Sequence, residues 1–138
     1  MTALPPEAIE GFFEQYGWSC ERVDDLTFRT GFRGQNGTYA ALVRLTEHWV
    51  VFTINPYIRP PEGGWGLAGL RALALVNQAI HMAKLGIDAD GDAFLTVELP
   101  SEGFEYSHFS DAMTAVTQSA DGFIVPLLQA RAIDERSR

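Results

Sequence analysis

Apolar positions along the chain recur first at helical spacing, then at a spacing of two, and the alternation repeats to the C-terminus. Ile9, Phe12, Phe13 and Tyr16 fall three or four apart, which predicts one buried face of a first helix. Pro5-Pro6 ahead of Glu7 suits its start, because a first-turn proline gives up no needed amide and a carboxylate there meets the positive dipole end. Gly17 is the expected stop. From Trp18 the period becomes two. Residues 18–23 predict a strand, Asp24-Asp25 a hairpin, and Leu26, Phe28 and Phe32 alternate with Thr27, Arg29 and Arg33 in a second strand. Gly34-Gln35-Asn36-Gly37 closes that strand, and Tyr39, Ala41, Val43 and Leu45 mark a third, with Leu42 and Arg44 on its other face. After a turn at Glu47-His48, residues 49–54 form a fourth strand that Pro56 ends.

Residues 59–64 read as a loop from their proline and glycine content. Residues 65–85 predict a long helix whose apolar positions, among them Leu67, Leu70, Leu73, Val76 and Ile80, nearly encircle its axis, so more than one face needs covering. Gly86 stops it, residues 87–89 make a short strand, and Asp90-Gly91 turns into a strand over 93–99. Phe109, Met113, Val116, Ala120 and Leu127 then mark a last helix, expected to kink at Asp121-Gly122 and Pro126 and to fray over 132–138. The order is helix, four strands, helix, two strands, helix. Long antiparallel runs separated by single helices predict an α+β fold in one domain, 1–138.

Charge changes the picture of partners. Eighteen Asp+Glu against ten Lys+Arg give a net charge of −8, and the average field repels phosphate backbones and anionic lipid heads. Nucleic acid and membrane surfaces are therefore not the expected partners. The single cysteine, Cys20, leaves no pair for an internal disulfide and fits a reducing compartment. Residues 1–10 carry no basic, apolar leader pattern, so the expected location is the cytoplasm. Asn36-Gly37-Thr38 matches a glycosylation tripeptide, but in a cytoplasmic chain it reads as a turn.

Candidate chemistry is sparse. Asp88, Asp90 and Asp92 alternate as in a calcium loop, yet Ala93 and Leu99 stand where such a loop needs glycine and a bidentate glutamate. A hairpin turn is the better reading. His48, His81 and His108 share no ligand spacing. Cys20 sits on a strand without a nearby reactive signature and reads as a small apolar residue. Gly63-Gly64-Trp65-Gly66 lacks the lysine and hydroxyl of a phosphate loop, and no nucleophile elbow occurs. No catalytic, cofactor or metal residues are assigned, and no cofactor is expected.

If the alternating apolar residues of the strands face the helices, the opposite face presents Arg29, Arg33, Arg44, Leu42, Trp49, Val51, Phe94 and Glu98. Contiguous apolar surface with Trp and Arg anchors is characteristic of protein interfaces. A solvated face with scattered apolar residues is the plain alternative.

The second half, from Leu73-Ala74-Leu75-Val76-Asn77 through Lys84-Leu85-Gly86-Ile87-Asp88-Ala89-Asp90-Gly91-Asp92 to Leu95-Thr96-Val97-Glu98-Leu99-Pro100, resembles the YbjN-like family. Phe12-Phe13 with Gly17-Trp18, and the Asp-rich turn before Leu26-Thr27-Phe28, resemble its opening. The resemblance implies a fold similar to type III secretion (Tir-type) chaperones: a helix-packed antiparallel sheet, a homodimer and a protein client. It carries over no catalytic residue.

The expectation is a non-catalytic, chaperone-like or adaptor-like homodimer that holds a segment of a partner protein in a groove or at a sheet edge. Arg44, Trp49, Tyr57, Ile58 and Trp65 are the candidate partner contacts, and Leu70, Leu73 and Ile80 the candidate dimer interface. Two rivals remain: an enzyme or small-ligand protein with a pocket between sheet and helices using Arg29, Arg44 and His48, and a regulatory subunit of a larger assembly.

Overall fold

The computed structural model describes residues 4–137. Arg138, at the end of the predicted fray, lies outside the described residues. The element order is α1 (Pro6–Tyr16), β1 (Glu21–Asp24), β2 (Thr27–Arg33), β3 (Thr38–Leu45), β4 (Trp49–Ile58), α2 (Leu67–Ala79), β5 (Lys84–Ile87), β6 (Ala93–Pro100) and α3 (Tyr106–Arg136). This is the predicted order. The strands form one antiparallel sheet, β1-β2-β3-β4-β6-β5, and the fold is α+β.

Helix α1 begins behind Pro5 and ends at Gly17, whose φ of 87° places its amide to bond back to Phe13 and Glu14. Ile9 and Phe13 are buried. Phe13 meets Phe109 of α3 edge-on, with ring centroids 5.0 Å apart, and Phe52 of β4 meets the same ring at 5.6 Å. The core therefore closes where α1, α3 and the middle of the sheet converge. Phe28, Val43, Val50, Phe52, Leu95 and Val97 cover the helix side of the strands and are buried, as their period of two requires.

The 31-residue helix α3 is the spine of the molecule. It runs without interruption through Gly122 and Pro126, where a kink was expected, because its buried residues Ala120, Ile124, Leu127 and Ala130 stay packed on both sides of the proline. Its end does not fray either. Asp134, 4% exposed, accepts hydrogen bonds from the amides of Gly66 (2.8 Å), Ala68 (3.1 Å) and Gly69 (2.9 Å), and so holds the first turn of α2. Arg131 donates to the carbonyls of Arg59 and Pro60 and fixes the loop leading into α2. Asp121 accepts from the amides of Gln35 (2.9 Å) and Asn36 (2.8 Å) and from the Tyr39 hydroxyl (2.9 Å), tying the β2–β3 turn to the same helix. The Asn36 and Gln35 amides and the Tyr39 hydroxyl hold its carboxyl below the usual carboxylate range.

Helix α2 is shorter than the 65–85 predicted. It ends at Ala79, and Lys84 already lies in β5, so Gly86 is inside a strand and the predicted strand over 87–89 shifts toward the N-terminus. The change of direction is set by Asn77, whose side chain accepts from the Leu85 amide (2.6 Å) and donates to the Leu85 carbonyl (2.9 Å). The chain turns between them with Met82 at φ 63°, an uncommon conformation for a residue with a side chain. The fourth strand is longer than predicted. It continues through Pro56 to Ile58 across a register shift opposite β6, with a cis Asn55–Pro56 bond, a place where a missing amide breaks no ladder bond. The first strand is shorter than predicted, Glu21–Asp24, and Leu26 lies in the β1–β2 turn and is exposed rather than facing the helices.

Two stability predictions test the role of α3. An alanine is a better helix former than glycine by roughly 1 kcal/mol, but a Cβ at Gly69 would sit 2.5 Å from both the Asp134 carboxylate and the Trp65 ring. Gly69→Ala is therefore expected to lower the urea midpoint, and a raised midpoint would contradict the Asp134 clamp. For Asp121 the native carboxyl is depressed, so its contribution is complete above the unfolded value of about 3.9 and is lost as pH falls through the native one. Unfolding titrations of wild type and Asp121→Asn should differ most near neutrality and converge in acid; a gap that stays constant on acidification would show that the charge is not what binds the turn.

Candidate partner-binding surface

Residues directly opposite each other in neighbouring strands share a face, and the register assembles the side of the sheet that no helix covers. One row crosses all six strands: Glu21, Arg29, Leu42, Thr53, Thr96 and Lys84. The next row holds Thr27, Arg44, Val51 and Glu98, and Trp49 stands opposite Pro100. The centre of this face is half-buried Leu42, Val51 and Thr53, flanked by exposed Arg44 and by Trp49 at 45% exposure. The face predicted from period-two alternation is thus assembled, with Glu21, Thr27, Thr53, Thr96 and Lys84 in addition, of which Thr27 and Thr96 are buried.

Its charges are unevenly paired. Arg29 donates to Glu21 at 3.1 Å, and Lys84 lies 3.9 Å from Glu98, both exposed pairs that stabilise little. Asp24 is held below its usual range chiefly by the Leu26 amide, with a smaller contribution from Arg44. Of the 18 acidic residues only Glu47 falls between Leu26 and Pro61, a stretch that also contains Arg29, Arg33, Arg44 and Arg59. This segregation was readable in the sequence and is visible only when charges are counted per segment instead of over the chain.

The candidate contacts separate. Arg44 and Trp49 lie together on the uncovered face. Tyr57 points the other way and donates to the Ala120 carbonyl of α3 at 2.6 Å, and burial pushes its hydroxyl pKa up. Ile58 is 4% exposed and belongs to the core. Trp65 donates to the Gly91 carbonyl at 2.7 Å and fastens the loop before α2 to the β5–β6 turn. Of the candidate dimer residues Leu70 is exposed, Leu73 is buried within the subunit and Ile80 is partly buried at the end of α2. Leu67, 82% exposed, adjoins Ile133 of α3 in a surface hollow.

Arg29 and Arg44 lie on the side of the sheet away from the helices, and His48 lies in the exposed β3–β4 turn beside Glu47, so these three do not line a crevice between sheet and helices. Asp88 accepts from the amides of Asp90 and Asp92 and from the Asn55 side chain, which gives the alternating aspartates a turn-forming role. His108 accepts from the Glu105 amide at the start of α3. Cys20 is partly buried, and burial pushes its thiol pKa up, away from reactive thiolate.

The two sheet edges differ. On β5 the outward backbone groups of Leu85 are occupied by Asn77. On β1 all four residues are exposed, and Arg22 turns back over the Phe28 ring and toward Glu10. Among the described residues no helix is long and apolar enough to cross a membrane.

Comparison with solved structures places this architecture. A chain of the heterodimeric ExoU–SpcU complex from the type III secretion system of Pseudomonas aeruginosa superposes with a TM-score of 0.60 at 18% identity, covering 89% of this chain and 97% of that one. The Yersinia pestis type III secretion chaperone SycH, in complex with a fragment of YscM2, gives 0.58 at 13% identity, covering 86% and 98%. The HopA1–SchA chaperone–effector complex gives 0.57 at 16%, covering 83% and 88%. At these identities the likeness is one of fold. No curated protein sequence matches the chain. The family model YbjN, described as "Putative bacterial sensory transduction regulator", matches residues 5–129, and the chain belongs to the YbjN family.

Proposed function

We propose that the chain is one non-catalytic, protein-binding domain, chaperone-like or adaptor-like, that works in the cytoplasm as a homodimer and holds an extended segment of a partner protein. The observation that carries this reading is the uncovered sheet face, where Trp49 and Arg44 stand exposed beside Leu42 and Val51. Such a face has the composition of an interface anchor set. Support also comes from the fold neighbours, whose structures are of chaperones with protein partners. Tyr57, Ile58 and Trp65 leave the contact set, since each is committed to holding β4 or the α2 loop in place.

The dimer is proposed through the outer stripe of α2, where Leu70 remains from the expected set and Leu67 joins it. Leu73 serves the subunit core instead. A helix that leaves two leucines 47% and 82% exposed on one stripe has apolar surface to offer a second copy.

Light-scattering chromatography is expected to give twice the chain mass of 15.2 kDa, and Leu70→Glu to return it to one chain. A wild-type monomer that retains no protein after capture from the cytosol would remove the proposal. Surface and core roles also separate by stability. Arg44→Ala is expected to change unfolding free energy by less than about 0.5 kcal/mol and Trp49→Ala by less than Ile58→Ala, both weakening partner retention, whereas Ile58→Ala should cost about 2–5 kcal/mol. A large stability loss at Trp49 would make that residue structural.

A further inference from the structure

The open side of the β2–β3 hairpin carries arginines and no acidic residue of its own in an acidic molecule, with Glu21 and Asp24 of β1 at its border. Its outward positions run Thr27, Arg29, Gly31 and Arg33 on β2 against Arg44, Leu42, Ala40 and Thr38 on β3. Three arginines thus stand in three of four successive rows, and neither strand contains an acidic residue. The strip is about 20 Å long at strand rise. Between the arginines its floor drops. Gly31 and Ala40, with Arg29, Ser19, Cys20 and Glu21, line a hollow of about 420 Å³, in which Glu21 is the acidic residue and is paired with Arg29. A Cβ added at Gly31 would meet only the Tyr39 carbonyl, at 3.7 Å, so the glycine is not required by packing at that position.

We infer that the partner segment received on the uncovered face is acidic: an extended stretch of about seven residues whose carboxylates meet Arg29, Arg33 and Arg44 while small or apolar side chains settle over Gly31, Ala40 and Leu42. The inference rests on the protein-binding reading above and specifies the chemistry of the partner. Complementarity is the argument. A chain of net charge −8 repels acidic segments on average, so an acidic partner is admitted at this strip and turned away elsewhere, which fixes where it docks. Arginine also suits the task, because its planar fork holds a carboxylate through two parallel bonds. The existing Glu21–Arg29 pair is exposed and is exchanged at little cost for a partner carboxylate.

The test uses the intact chain and two fluorescein-labelled peptides of about twelve residues, one alternating Glu with Val and Ala, the other Lys with Val and Ala, read by fluorescence anisotropy. The acidic peptide is expected to bind at least about tenfold tighter than the basic one, and Arg29→Ala and Arg44→Ala each to cost about tenfold in affinity. Raising the salt from about 0.05 to about 0.5 M should weaken the acidic peptide selectively. Gly31→Val, which adds a good strand former into open space, should block it with the unfolding midpoint preserved. Equal affinity for the two peptides, or unchanged binding by the arginine variants, would overturn the acidic preference. A selection from a random peptide library then separates the two levels of the argument. Neutral peptides lost with Trp49→Ala would leave partner binding standing without the acidic preference, and an empty selection with no binding of either labelled peptide would bring down both.

Discussion

The buried carboxylate of Asp134 is the contact on which the helical layer depends. A helix start leaves several amides without partners, and α2 begins after Gly66, a residue with no side chain to cap it. The cap is supplied from 65 or more residues away, by the last turn of α3. The arrangement needs α2 to come very close to α3, and Gly66 and Gly69 allow it, since a side chain at either would collide with the carboxylate. Arg131 one turn earlier and Asp121 further back repeat the device on the loop before α2 and on the β2–β3 turn. One long helix therefore positions three pieces of backbone that local sequence alone leaves undetermined.

This explains which parts of the fold were legible. The strands and helix faces followed from apolar period, because burial on one side of a sheet or helix leaves a repeating trace in the sequence. The end of α2 did not. Ile80, Met82 and Leu85 continue an apolar run past the point where the helix stops, and the stop comes from Asn77 reaching the backbone of Leu85. Pro56 and Pro126 misled in the same way: each was read by its local rule, and each lies where the tertiary structure absorbs the missing amide, one beside a register shift and one in a helix gripped by the core. Asp134 lies in a polar C-terminal stretch, and nothing nearby in sequence announces its partners, the amides of Gly66, Ala68 and Gly69.

The candidate surface was more legible than its membership. Alternation placed Arg44 and Trp49 on the outward face, while proximity to a proline-glycine loop suggested Tyr57, Ile58 and Trp65, and proximity in sequence is no guide to the direction a side chain takes at a bulge or loop. Tyr57 and Trp65 use their polar atoms on carbonyls of α3 and the β5–β6 turn. Their aromatic character serves the joint between sheet and helices, and the outward face is left to residues whose period, not whose type, identified them.

The bond pair between Asn77 and Leu85 occupies one edge of the sheet at its middle. Strand edges are templates for further strands, and a sheet with two open edges can add copies of itself without limit. Here the β5 end is stoppered at Leu85 from within the same chain, while the residues of β1 at the other end are exposed. A strand added at that end would have to come through Asn77, so the β5 edge is closed to pairing at Leu85 by its own chain.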